Sequence, residues 1–541
     1  MINSEKLLKA LVVVLILTFY ASFLVYKIKL PAADDLPRQI MIGQEIVHGN
    51  WNILYQNVFS YTEPEFTFYN HHWLSGVIFY LIDSLVGWSG LVIVKIIILL
   101  LSFSIIFKAS LKKANFWLVA LVSLPALLIM HERTGLRPEV FSYLFISLYA
   151  YLLLDFEEHP DRKKIFWLIP LQLLWVNMHV FFSIGLMLVL GFIFEQLVIN
   201  WRNLKESLIL RKILIVFVAM VMVSCINPRG FMGVIYHYPS ISLDISENQP
   251  LSEYQRSAAP GADISVRIFK PLVAVWVLSL LVLIAFRFTQ KQKKKKTPPV
   301  FFSLAMLATT VLSFLVLRGM AMFGLMLLLF LPAVLDEPFE YISDKLSAYS
   351  KRLKVVLGRC LIGGMILIFG YFNYLSVRGT FTGFVDRGLG LASMAEGGIT
   401  FFKENNLNGP IFNYADIGSY LIYYLYPEEK VFSDNRFGDA YSKSFWDDIY
   451  LPIFADEKKW QEYLNKYDFN VLFLYQYDGG PDFRKFLYNR LRDPEWALVY
   501  GDAFSMILVR NNAEHRELIE KYQITSENVP QSLFYLLKSP V

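Results

Sequence analysis

The sequence predicts a polytopic α-helical membrane protein of about eleven spans, carrying a C-terminal α/β domain outside the membrane. Three observations predict it. Hydrophobic residues make up 55% of the 541 and charged residues only 18%, where an ordinary soluble domain carries about 25% charge. Long apolar runs recur through the first 370 or so residues. From about residue 395 the pattern changes to short β-rich runs alternating with amphipathic helical ones. A single soluble globule is excluded, because too little polar surface is available to cover it. Disorder is excluded by 45 Phe, 31 Tyr and 11 Trp. The formal net charge of +5 is too small to argue for nucleic acid. The two cysteines, Cys225 and Cys360, both sit in apolar runs and support no disulfide framework.

A helix needs about 20 apolar residues to cross about 30 Å of hydrocarbon. Eleven runs qualify: 8–29, 89–109, 115–131, 138–155, 165–179, 181–198, 212–226, 269–287, 299–316, 320–334 and 354–372. The first is too long for a signal-peptide core and lacks a small-x-small cleavage site, so it reads as an uncleaved anchor.

Basic residues in short loops set the orientation. With Lys6 and Lys9 in the cytoplasm, the loops holding Lys108, Lys112 and Lys113, then Arg202, Lys205, Arg211 and Lys212, then Lys345, Lys351, Arg352 and Lys354, all face inward. So does the run Lys293 to Lys296. This holds only if 71–87 does not cross, which makes that segment a re-entrant or surface-lying helix on the outer face. The membrane domain is then 1–372, including the outer loop 30–88. A linker covers 373–394, and 395–541 is the extracytoplasmic α/β domain. In that domain the expected strands are Pro410–Asn413, Lys430–Ser433, Asn470–Gln476 and a pair within Trp496–Arg510. The expected helices are Asp416–Leu425 (with Asp416 as N-cap), Lys458–Lys466, Asp482–Arg490 and Glu514–Tyr522. The implied setting is a plasma membrane, on the reading that the source is bacterial.

Candidate chemistry gathers on the outer side. Asp34 and Asp35 follow the first span directly, next to Arg38. Adjacent carboxylates at the membrane boundary suit a general base or a divalent-metal ligand, and equally a solvated helix end. The same loop closes Tyr69-Asn70-His71-His72-Trp73-Leu74. The histidine pair suits a phosphate or a metal, or an interfacial anchor. His131-Glu132-Arg133-Thr134-Gly135-Leu136-Arg137-Pro138-Glu139 joins two apolar helices, with Arg133 and Arg137 suited to bidentate phosphate contacts. Asn177 and His179, then Asn227-Pro228-Arg229-Gly230, sit at further outer helix ends. The loop after Arg229 adds His237, Asp244, Glu247, Glu253, Tyr254 and Arg256, and Arg318 lies between two late spans. His48, His71, His72, His131, His179 and His237, six of the eight histidines, fall on this side. In the tail, Asp416 to Tyr420 and Ser433-Asp434-Asn435-Arg436 place polar groups just after strands, where α/β crevices form or ordinary turns close. No phosphate loop, CxxC or GxSxG is present. Energy for outer-face chemistry must then arrive in an activated, lipid-linked substrate.

In their order these elements resemble the GT-C type of integral-membrane glycosyltransferases, which include protein O-mannosyltransferases and lipid A aminoarabinose transferases. The resemblance rests on Asp34-Asp35 after the first span, Gly43-Gln44-Glu45-Ile46, Phe59-Ser60-Tyr61-Thr62 and His72-Trp73-Leu74-Ser75. It continues through Arg137-Pro138-Glu139-Val140-Phe141-Ser142, Trp175-Val176-Asn177-Met178-His179 and Ile226-Asn227-Pro228-Arg229-Gly230. Asp416 to Leu421 and Val431 to Arg436 in the tail complete it. Where mannosyl and aminoarabinose branches carry a Lys/His-Pro-Pro-Leu-like motif, this chain reads His71-His72-Trp73-Leu74.

The resemblance implies a sugar donor on a polyprenyl or dolichyl phosphate and a lipid, glycan or protein acceptor on the outer face. It implies an acidic base, Asp35 or Asp34, and inversion at the anomeric carbon. Cations from Arg133, Arg137, His71, His72, His179, Arg229 and Arg318 would meet the phosphate. A divalent metal is required by some members and not by others. Two other functions fit the same polar groups. One is a transporter or flippase for a lipid-linked glycan, against which stands the lack of an internal repeat. The other is a non-catalytic envelope scaffold.

Overall fold

The computed structural model describes residues 4–28, 35–67, 69–204, 206–235, 264–289, 300–379, 387–392, 396–475, 481–502 and 504–525. Asp34, the lysine run, and His237, Asp244, Glu247, Glu253, Tyr254 and Arg256 of the second outer loop lie outside the described residues. The chain divides into two compact units. One is Met1–Tyr26 with Val92–Gly388, and the other is Lys27–Leu91 with Leu389–Val541. The outer loop and the C-terminal segment therefore belong to one unit.

The first unit is a helical bundle. Every apolar run read as a span is helical. Among the described residues, seven helices are long and apolar enough to cross a membrane: Glu5–Leu24, Trp73–Ser110, Glu139–Glu158, Phe182–Ile199, Ile264–Thr289, Gly319–Tyr349 and Lys351–Val377. The other four, Phe116–Met130, Leu168–Met178, Leu208–Ser224 and Val300–Leu315, have 11 to 17 residues. Gly319–Tyr349 is buried along most of its apolar length, whereas Lys351–Val377 is mostly exposed. Gly324 lets the buried helix sit against Phe116–Met130, since a Cβ there would lie 2.9 Å from the Ala126 carbonyl. Close approach of this kind is how apolar helices associate without a hydrophobic drive between them.

The two ends of the bundle differ. The end that carries Lys112 is closed by ion pairs, Lys112–Asp155 at 3.3 Å, Lys113–Glu157 at 2.7 Å and Arg287–Glu337 at 2.8 Å. The Phe116–Met130 helix starts at this end, capped by the Asn115 side chain, whose Oδ1 accepts from the Trp117 amide at 2.9 Å. It finishes at the other end in a short 3-10 turn, His131–Arg133.

The second unit holds a four-stranded sheet ordered β1-β2-β4-β3, with β1 Ile411–Asn413, β2 Val471–Tyr475, β3 Trp496–Gly501 and β4 Ser505–Arg510. β1 and β2 run parallel, and β4 is antiparallel to both β2 and β3. The expected strand Lys430–Ser433 is not in the sheet. Val431 instead bridges Ser60 of the outer loop, with the Val431 amide donating to the Phe59 carbonyl at 3.1 Å. The helix expected from Asp416 is Ala415–Leu425, and Tyr414, in extended conformation, holds its N-cap position. Asp416 falls inside the first turn, where its charge still favours the helix end. Helices Glu457–Tyr467, Pro481–Arg490 and Arg516–Tyr522 match the remaining expectations within two residues. Phe412 anchors the core, with ring centroids of Phe432, Phe469 and Trp460 at 5.0, 5.1 and 5.3 Å.

The outer loop supplies helix Leu36–Val47, started by Pro37 in its first turn, and the opening of Trp73–Ser110. That long helix bends at Gly87, whose φ of 65° and ψ of −164° break the helical run. The bend falls where the sequence ended the segment 71–87.

Candidate functional site

Asp35 occupies the N-cap position of Leu36–Val47 but makes no side-chain cap bond. Its carboxylate turns instead to Arg38, whose Nη2 donates to Asp35 Oδ1 at 2.7 Å. The two partners differ in burial: the Asp35 side chain is 31% exposed and Arg38 5%. Arg38 therefore lies under the carboxylate and leaves its outer edge to solvent.

Arg38 is held from the C-terminal segment. Its Nε donates to Asn435 Oδ1 at 3.3 Å and lies 3.8 Å from Asp434 Oδ1. Its backbone amide donates to Ser419 Oγ at 3.2 Å. Asp434 is fully buried and accepts from Arg436 Nε at 2.8 Å, Arg436 Nη2 at 2.6 Å and the Tyr441 hydroxyl at 2.9 Å. Burial alone would raise the Asp434 carboxyl, but the charges and bonds of Arg436, with the charge of Arg38, outweigh it and hold it below the usual carboxylate range. Arg436 also donates to Asn57 Oδ1 of the outer loop. Asn57 in turn donates to the Ala440 carbonyl at 2.8 Å. The result is a line of alternating charge: Asp35, Arg38, Asp434, Arg436.

Gly418 permits this line. A Cβ there would lie 2.3 Å from the Ser433 carbonyl oxygen and 2.7 Å from Asp434 Cα.

His71 and His72 precede the Trp73 helix with ring centroids 4.0 Å apart. Burial lowers the His71 imidazole to about 4, against a hydrogen bond to the Tyr69 backbone, and the Arg38 charge lowers it further. His71 is thus neutral at pH 7 and within electrostatic reach of Arg38. Asn70 Oδ1 accepts from the His72 amide at 3.2 Å and shapes the turn.

The bundle unit holds the other candidates. Arg133 pairs with Glu139, Nε to Oε1 at 3.2 Å, and both are buried. The charges of Glu139, Arg133 and Arg318 all reach the Tyr143 hydroxyl, so they share one neighbourhood. Arg318 is the N-cap residue of Gly319–Tyr349. His179 lies beside Ser142, Nδ1 to Oγ at 3.0 Å, and the Trp175 indole donates to the same Oγ at 2.8 Å. The Phe181 amide also donates to His179 Nδ1, at 3.4 Å.

Arg137 ends the turn before Glu139–Glu158, and its carbonyl accepts from the Val140 amide at 3.1 Å. Arg229 sits in a turn made by Asn227, whose Oδ1 accepts its amide at 2.9 Å. Asn177 donates to the Ile226 carbonyl at 2.8 Å, a structural role. The structure thus places Asp35 with His71 around Arg38 in one unit. Arg133 and Arg318 meet Tyr143 in the other.

The only described residues that group three metal-type side chains are Asp155, Glu158 and His159. Asp155 there is already met by Lys112, Arg162 and Lys164 at 3.3 to 3.5 Å. A carboxylate so compensated does not suit a divalent cation, and Asp35 is committed to Arg38.

Sequence reasoning missed Lys95, which is buried, with its ammonium 3.4 Å from the Tyr26 ring centroid. Its signal was a lysine seven residues into an apolar span. The Arg38–Asp434 pairing joins residues 396 positions apart, and no local pattern announces it.

No family model and no curated protein matches this chain. Solved structures do. The archaeal oligosaccharyltransferase AglB from Archaeoglobus fulgidus, in complex with an inhibitory peptide and a dolichol-phosphate, aligns with a TM-score of 0.63 at 10% identity, over 99% of this chain and 78% of that one. The A. fulgidus enzyme tethered to an acceptor peptide containing the NVT sequon gives 0.60 at 10% identity, over 94% and 75%. Its complex with Zn and sulfate gives 0.55 at 10% identity, over 92% and 73%. The chain therefore shares the fold of the A. fulgidus oligosaccharyltransferase, the kind of membrane fold the sequence resemblance anticipated.

Proposed function

We propose that this chain is an integral-membrane glycosyltransferase that moves a sugar from a polyprenyl-phosphate carrier to an acceptor on the outer face of the membrane. The observation that carries the reading is Asp35. On a fold shared with an oligosaccharyltransferase, it is a partly exposed carboxylate just beyond the first membrane helix, oriented from below by a buried arginine. In this reading the membrane is the bacterial inner membrane, the N-terminus is cytoplasmic, and segment 71–87 is a re-entrant or surface-lying helix on the outer face.

The chemistry is a single displacement. Asp35, with Asp34 beside it in sequence, takes the proton of an acceptor hydroxyl. The acceptor oxygen forms a bond to the anomeric carbon as the bond from that carbon to the carrier phosphate breaks, with inversion. The phosphate leaves with the electron pair, and cations stabilise it. Arg133, Arg137, Arg318 and Arg229 are the cations of this reading, with His72 and His179 as hydrogen-bonding partners. His71, neutral at pH 7, contributes no charge. The acceptor is a peptide, a glycan or a lipid.

The test uses full-length protein in membranes and a lipid extract of the expressing cells labelled with tritiated sugar. Wild type should release label from the lipid fraction into acceptor, and Asp35→Asn should lose more than about a hundredfold in turnover while staying folded. Full activity in Asp35→Asn removes the reading. A transporter or scaffold would be indifferent to that change.

A further inference from the structure

We infer that Asp434, far along in the C-terminal segment, is a positioning residue for Asp35, acting through Arg38. The inference rests on the reading of Asp35 given above and adds a second set of residues to that site.

The geometry makes the link directional. Arg38 has two carboxylates within reach, Asp35 at 2.7 Å and Asp434 at 3.8 Å. Asp434 is held by Arg436 and Tyr441 and is fully buried, so it is fixed. Asp35 is the partner at the surface. With its Nε turned to Asn435 and Asp434, Arg38 presents only Nη2 to Asp35. A guanidinium fixed from behind by a buried anion cannot follow the carboxylate outward, and its charge is divided between two anions. Asp434 thereby sets both the direction of the Asp35 carboxylate and how much positive charge it feels. The Ser419 bond to the Arg38 amide and the close approach at Gly418 fix the same relationship in the backbone.

The other titratable groups on the elements packed here are His71 and His72 before the next helix, Glu45 and His48 at the far end of Leu36–Val47, Asp416 in the first turn of Ala415–Leu425, and Arg436 with Tyr441 behind Asp434. Among the described residues the ion pairs of Arg38 are with Asp35 and Asp434.

The experiment is a pH–rate profile of the tritiated-lipid transfer reaction, with full-length protein in membranes. Removing the cation with Arg38→Gln should move the acid limb of kcat/KM upward, since a nearby positive charge favours an ionised base. Asp434→Asn should move it downward, because Arg38 then gives its full charge to the Asp35 side. Opposite shifts cannot arise from a loss of folded protein. Asp434→Asn also strips Arg436 of its partner, so Asn435→Asp serves as the second variant. Asn435 is only part-buried, and an added anion beside Arg38 Nε should move the limb upward. Acid limbs unmoved in Arg38→Gln and Asn435→Asp, in proteins that melt as wild type, overturn the inference. Retained turnover in Asp35→Asn overturns the underlying reading instead, so the two failures are distinct.

Discussion

Gly43 and Gly76 face each other across two helices of the outer loop, with no room for a methyl group between them. A Cβ on Gly43 would lie 2.1 Å from the Gly76 carbonyl oxygen, and one on Gly76 would lie 2.6 Å from the Gln39 carbonyl oxygen. The obstacles are backbone atoms, so neither helix yields without moving. Gly43→Ala should therefore destabilise the second unit by about 1–3 kcal/mol or more. It should also displace Leu36–Val47, and with it Arg38. Thermal unfolding in detergent, followed by intrinsic fluorescence, reads the loss. Wild-type melting of Gly43→Ala would contradict the packing described.

Arg133 and Glu139 form a buried pair, and burial makes the pair asymmetric under mutation. Arg133→Met leaves the Glu139 carboxylate without its main counter-charge and should cost about 3–5 kcal/mol. The double variant Arg133→Met with Glu139→Leu should regain most of that loss, since a buried ion pair and a well-packed apolar pair are often close in stability. A double-mutant cycle on the melting temperature measures the coupling. Additive single losses would show that the two charges do not depend on each other.

His71 links stability to pH. Its folded value of about 4 lies below the ordinary histidine value of 6.5, chiefly through burial. Between those values the unfolded chain binds a proton that the folded chain does not. The contribution of His71 is therefore fully present above pH 6.5, declines as the pH falls, and is lost below about pH 4. His71→Asn should flatten the decline in melting temperature across that window. An unchanged slope would mean that another group titrates there.

The sequence carried the bundle because apolar length is a local quantity. Each of the eleven runs, down to the short ones at 165–179 and 320–334, became a helix, and the bend at Gly87 falls at the last residue of the segment 71–87. The strands β1 to β4 were legible for the same reason. Lys430–Ser433 was not, because an extended run does not declare its partner, and Val431 found Ser60 rather than the sheet. The site was half legible. Asp35, Arg38, Asp434 and Arg436 each stood out as polar residues in suggestive places, but the salt bridge from Arg38 to Asp434 depends on a chain reversal that no window of sequence contains. The cap expected at Asp416 lies two residues earlier, because Tyr414 took the extended conformation that a cap requires.

Lys95 ties the Trp73–Ser110 helix to the end of the first helix. It is 1% exposed, its ammonium sits on the Tyr26 ring, and the Tyr26 hydroxyl donates to Thr134 Oγ1 at 3.3 Å. An ammonium over an aromatic face is stabilised by about 0.5–2 kcal/mol, at the upper end when the contact is buried. Lys95→Met keeps most of the length and removes the charge, so it should lower the melting temperature by a loss of that size, and Tyr26→Leu should remove the same contact from the other side. In the double variant the second change should then cost less than it does alone, because the contact is already gone. Additive losses in the double variant would show that ammonium and ring do not depend on each other.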